Sequence, residues 1–283
     1  MMFRAVTCVF LLAAASSLGA QEAGNSNSRE IVRRAVDRDQ QNRADARNYT
    51  YLQRQDVREL DHAGQVKSRR IETWDITLLD GSPYRRLVAR NDRPLSPEEQ
   101  KTEDERLRFS EDQRRKESSE ARARRLAEWQ RRLDRQHDAV KELPDAFEFR
   151  RLPDEQLNGR PVYRIDGTPR PGFKPKSQIA AIFPKVKMRM WIDKADYEGA
   201  HVEMDVLDTI SFGGFVLRLS KGSRMVIDQT RVSDGVWLPR QFSINAAARI
   251  LLLKGLNREL DFTFSDYKKF QVDSHVVAFT AKP

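Results

Sequence analysis

The side chains best suited to chemistry are four histidines, a few closely spaced carboxylates and one cysteine. His62, His137, His201 and His275 lie far apart in the chain, and none belongs to an H-E-x-x-H pair. His201, Glu203 and Asp205 alternate along a strand-like run, so all three project from one face. That donor set could ligate a divalent metal. It is also the pattern of any solvent-facing strand, and the second reading is preferred. Asp193 and Asp196 read as turn residues before an acid–base pair. The G-x-S-x-G elbow, the Walker loop and the G-x-G-x-x-G fingerprint are all missing. The only cysteine, Cys8, falls in an N-terminal leader. A mature chain without it has no disulfide, no thiol nucleophile and no cysteine-ligated metal. The sequence therefore assigns no catalytic residue, no metal and no cofactor.

The elements that would position such residues can be read from patterning. Residues 1–20 have the form of a secretory signal peptide: Arg4, then an apolar stretch from Ala5 to Ala15, then small residues ending at Ala20. This predicts export to the periplasm. Residues 21–95 hold a helix over 27–47 followed by three strands, split by turns at Asp61–Gly64 and Asp80-Gly81. Residues 96–143 form a charged helical insertion. Ser96-Pro97-Glu98-Glu99 is a helix start with a capping box, and neither Gly nor Pro recurs before Pro144. Its second half carries one narrow apolar stripe, Leu126, Trp129, Leu133 and Val140. The expectation is an exposed arm, one helix or a hairpin, whose C-terminal part packs on the body or on a partner. Residues 144–283 return to strands, seven of them, with turns at Asn158-Gly159, Glu198-Gly199, Lys221-Gly222 and Asp234-Gly235. The fold class is mainly β with helices (α+β): a curved antiparallel sheet or half-open β-barrel.

The charge balance narrows the partners. The 283 residues carry 51 Lys and Arg against 42 Asp and Glu, a net +9, and the pI is about 9.7. The most charged stretch, 98–142, is neutral, with 13 basic and 13 acidic residues. Export and the lack of aromatic–basic interleaving argue against nucleic acid.

The C-terminal half carries a recognisable order of motifs. Met190-Trp191-Ile192-Asp193 precedes Tyr197, and Val202-Glu203-Met204-Asp205 follows. Then come Gly235-Val236-Trp237-Leu238-Pro239 and Phe262-Thr263-Phe264-Ser265-Asp266-Tyr267. This order resembles the LolA/LolB-like class of periplasmic outer-membrane lipoprotein-sorting proteins, mainly over 145–275. The class also includes a periplasmic sensor that caps an anti-sigma factor. The resemblance implies a half-open barrel whose apolar cavity holds acyl chains. It brings no catalytic residue, and the insertion 96–143 has no counterpart in it.

On that reading the ligand would be a lipid or lipoprotein acyl chain, with contact to the membrane surface. Apolar residues beyond the needs of a strand core are the candidates for lid or mouth: Phe173, Ile179, Ile182, Phe183, Phe212, Phe215 and Leu217. Lys185, Lys187 and Arg189 would meet an anionic headgroup. Ordinary core and a solvated basic face are the competing explanations of the same residues. The alternative function is an envelope interaction or sensor module using 96–143 as its contact.

Overall fold

A computed structural model describes residues 15–61, 63–212, 217–246, 248–249 and 257–270. The chain opens with helix α1 (Ala15–Ala46), then strands β1 (Tyr49–Leu60), β2 (Val66–Leu79), β3 (Ser82–Arg90) and the short β4 (Arg93–Pro94). Helices α2 (Pro97–Arg115), α3 (Ser119–Lys141) and the single turn α4 (Leu143–Ala146) follow. Strands β5 (Phe147–Leu157) and β6 (Arg160–Pro169) lead through a 3-10 turn (Ala180–Lys185) to β7 (Val186–Asp193) and β8 (Gly199–Val206). Then come β9 (Ile210–Phe212), β10 (Leu217–Leu219), β11 (Arg224–Ser233), β12 (Val236–Ala246), β13 (Ala248–Arg249) and β14 (Asn257–Lys269).

Eleven strands form one antiparallel sheet in the order β4-β3-β2-β1-β14-β12-β11-β8-β7-β6-β5. It is curved but unclosed, because β4 and β5 are two free edges. Closure of the chain falls to β14, which pairs with β1 from Tyr49↔Lys269 to Leu60↔Asn257. Turn chemistry sets the hairpins as expected at two places. Asp80-Gly81 and Asn158-Gly159 both have positive φ at each residue, the pair a tight hairpin needs.

Four features depart from the pattern reading. The strands of the first meander are long, not short, at 12, 14 and 9 residues. The run 202–210 is not one strand: β8 ends at Val206, and β9 joins β10 and β13 in a separate three-stranded sheet. The turn after β7 is not built on Glu198-Gly199. Asp193 organises it, its Oδ1 accepting from the backbone N–H groups of Ala195 and Asp196 at 2.9 and 2.8 Å. Tyr197 takes the left-handed position at φ 55°.

The fourth concerns the insertion, which is two helices laid along the body and not a projecting arm. Ser96 caps α2 with the full capping box. Ser118 caps α3 after a break at 116–117. The α2 helix runs back along β3, with Glu103 buried and Asp104 paired to Arg86. At the β2–β3 turn Arg114 donates to the Leu79 carbonyl, while Arg125 donates to Ser82 Oγ at 2.6 Å and to Asp80 Oδ2 at 2.8 Å. From there α3 crosses to α1, where Arg43 donates to the Leu133 carbonyl at 3.3 Å.

The main core lies at the β5–β8 end. Val186, Met188, Met190 and Ile192 alternate inward from β7 and meet Ile31 and Val32 of α1, with Phe147 and Ile165 between. The opposite face of β7 is polar and paired: Arg189 lies on Asp166, and Trp191 donates its indole N–H to Glu155.

Candidate functional site

The inner face of the sheet stays apolar past the core. Tyr51, Ile76 and Leu78 on β1–β2, and Phe264 and Tyr267 on β14, present a floor of large side chains. The Tyr51 ring stands 5.9 Å from Phe264 and 5.4 Å from Tyr267. Two helices wall this floor without filling it. The C-terminal turns of α1 give Gln40 and Arg43, and Arg47 follows just past its end; α3 gives Trp129, Leu133, His137 and Lys141. The result is a cavity of about 570 Å³, inside the ~300–1,000 Å³ range of small-molecule sites.

Specific contacts fix each wall. Asn42 anchors α1 to β12: its Nδ2 donates to the Trp237 carbonyl at 2.7 Å and its Oδ1 accepts from the Trp237 N–H at 2.8 Å. Trp237 in turn donates its indole N–H to Asp196 at 2.9 Å. Arg160 grips Asp193 with two hydrogen bonds, at 2.6 and 2.9 Å. Burial alone would raise the Asp193 carboxyl; Arg160 and the turn N–H groups outweigh it and hold the group below the ordinary range. The two aspartates are therefore structural, joining the β7–β8 turn to β12 and through it to α1. On the floor, burial and then the neighbouring Tyr51 push the Tyr267 phenol up, and its hydroxyl donates to the Pro239 carbonyl at 2.5 Å.

His137 is the buried polar side chain of the wall. Burial, then Arg43 and Lys141, lower its pKa against the opposing Asp39, so the imidazole is neutral at pH 7. The site thus offers a large apolar surface, cations at its edge and one neutral imidazole. Nothing in it is arranged as a nucleophile with a base.

The described side chains among the residues singled out in the sequence do not line this cavity. Phe183 is 6% exposed and packs 5.4 Å from Phe147 in the core. Ile182 and Phe173 pack half-buried at the rim of that core, and Ile179 faces solvent. The 3-10 turn carries Ile182 and Phe183 against the core at the β5–β7 end of the sheet. Phe212 and Leu217 pair with each other through the backbone of the small sheet; their side chains, and all of Phe215, lie outside the described residues. Lys185 donates to the Thr209 carbonyl at 2.8 Å, Lys187 pairs with Asp205 at 3.4 Å, and Arg189 pairs with Asp166. His201 contacts Asp228 at 2.6 Å, while Arg224 pairs with Glu203. No group of three potential ligands is placed to hold a metal among the described residues. The cavity residues were partly visible in sequence: Trp129 and Leu133 lie in the stripe of the insertion, and Phe264 and Tyr267 in the F-x-D-Y strand. Only the fold shows that they face one another.

No family model and no curated protein matches the chain. Among solved structures it is similar to an outer membrane lipoprotein-sorting protein domain from Vibrio parahaemolyticus, at 12% identity and TM-score 0.36, over 87% of this chain and 95% of that one. It is similar to a DUF1329 family protein from Desulfovibrio piger, at 12% identity and TM-score 0.33, over 89% and 95%. It is also similar to a LolA superfamily protein from Nitrosomonas europaea, at 9% identity and TM-score 0.28, over 79% and 86%. The likeness concerns the fold.

Proposed function

We propose that this protein is a non-catalytic carrier of acyl chains, from lipid or lipoprotein, which it holds in the cavity between α1, α3 and the inner face of the sheet. The observation that carries the reading is the cavity itself: about 570 Å³, floored by aromatic and aliphatic side chains and lacking a catalytic constellation. Each methylene moved from water onto such a surface gains ~0.8 kcal/mol, so a long chain outweighs the cost of immobilising it. A carrier needs nothing further in the way of acid, base or metal. The leader-like residues 1–20 support a periplasmic location, and no helix among the described residues is long and apolar enough to cross a membrane.

The test is uptake of a fluorescent fatty acid by delipidated protein. Saturable uptake is expected. Leu133→Arg, which places a charge in the wall, should weaken it by tenfold or more on the order of the cost of a poorly solvated charge. No uptake, or uptake indifferent to Leu133→Arg, would remove the reading.

A further inference from the structure

The cavity contains one polar side chain that the rest of the protein leaves unanswered. His137 is 8% exposed, and neither ring nitrogen has a hydrogen-bond partner among the described residues. The nearest acceptor, Asp39 Oδ2 on α1, stands 3.7 Å from Nδ1, and that carboxylate already accepts from Arg43 Nε at 2.8 Å. A buried imidazole without partners is costly, and a leucine at this point of the apolar stripe would avoid the cost. Both nitrogens are closed to solvent here, so a visitor reaches them through a turn of the imidazole toward the cavity that His137 lines.

Its surroundings indicate the charge of the visitor. Asp39 of α1 lies beside it, and the cavity it lines is also lined by Arg43 of α1, by Arg47 just past that helix, by Asp134 and Lys141 of its own helix, and by the phenols of Tyr51 and Tyr267 on the sheet. Asp39 is neutralised by Arg43. Asp134 accepts from Gln130 at 2.7 Å, and Lys141 pairs with Asp138 at 3.3 Å, a partner that an incoming anion displaces or shares. Arg47 is exposed at the rim and forms no ion pair among the described residues.

We infer that the cavity selects amphiphiles with an anionic headgroup, whose oxygen accepts a hydrogen bond from His137 and faces Arg47 and Lys141 while the chain lies on the aromatic floor. This rests on the carrier reading and adds to it the class of headgroup. The insertion supplies the selectivity, since His137 and Lys141 both belong to α3. An anion at hydrogen-bond distance favours the imidazolium, so binding takes up a proton. Affinity then rises as pH falls below neutrality, even for a headgroup that does not itself titrate.

Calorimetric titration with three probes tests this: dodecane-1-sulfonate, dodecan-1-ol and methanesulfonate, each on either side of the ordinary imidazole range. The sulfonate amphiphile should bind about tenfold tighter than the alcohol, with proton uptake, and methanesulfonate should bind far more weakly than either. His137→Phe should weaken the sulfonate about tenfold and flatten its pH dependence while raising the unfolding midpoint, because an unanswered polar group is gone. A histidine kept only for packing would show the opposite change in stability and no change in pH dependence. Arg47→Gln, at an exposed position, should weaken the sulfonate several-fold and leave the alcohol alone. Equal binding of sulfonate and alcohol overturns the inference and leaves the carrier standing. Methanesulfonate matching the long sulfonate also overturns it, as a site for small anions only. If neither amphiphile binds, the carrier reading fails and the inference with it.

Discussion

Glu198 is 1% exposed, and one of its carboxyl oxygens has no hydrogen-bond partner among the described residues. Burial, reinforced by Asp39 and then opposed by Arg38, pushes its pKa up to about 8. The unfolded chain has the ordinary carboxyl value near 4.5. A folded pKa above the unfolded one means full stability below about pH 4.5 and a loss as pH rises through about 8. Replacing Glu198 with Gln should abolish that alkaline loss, raising stability above pH 8 with little change near pH 5; urea midpoints across this range measure it. An unchanged pH profile would contradict the buried, proton-bearing carboxyl. The sequence offered Glu198 only as the first residue of a Glu-Gly turn. Its burial comes from α1 lying over the β7–β8 turn, a contact made across the fold. Asp193 is different: the W-I-D pattern and a turn role for its carboxylate were legible, because an aspartate ending a strand organises the next few N–H groups locally.

The helices act as walls, and one short side chain latches the C-terminal half of α1 to β12. Asn42 satisfies both backbone groups of Trp237, and both bonds are buried. Asn42→Ala strands an N–H and a C=O away from water, at ~1–3 kcal/mol each. It should cost about 2–4 kcal/mol in chemical unfolding and loosen the cavity wall; a cost below the error of the measurement would mean that α1 is not latched there. The α3 helix was visible as a stripe at 126, 129, 133 and 140, and the start of α2 as a capping box. Its path was not. Charge runs predict a solvated helix, but they do not say that Arg114 and Arg125 will fold the two helices back onto the β2–β3 turn. Those contacts join residues 35 to 45 positions apart, beyond the reach of periodicity.

Across the whole molecule, strand periodicity and turn residues predicted the sheet well. Three N-terminal strands and six of the seven C-terminal ones were located, since alternation and Asn-Gly or Asp-Gly turns are local, while the run 202–210 divides between two sheets. Which part of the sheet would remain uncovered was not legible. Phe183 and Ile182 were read as surplus apolar material, yet they complete the core at the β5–β7 end. The surplus lies at the other end, where Tyr51, Phe264 and Tyr267 are walled but not filled by α1 and α3. An apolar run in sequence cannot distinguish these cases, because core and cavity use the same residue types.

The central claim is that this uncovered surface carries acyl chains. Native mass spectrometry of the protein, purified gently from its native host and measured again after denaturation, tests it most directly. The account predicts adducts of lipid mass that disappear on denaturation and are depleted in Leu133→Arg. A bare polypeptide mass under native conditions, alongside an intact fold, would contradict it.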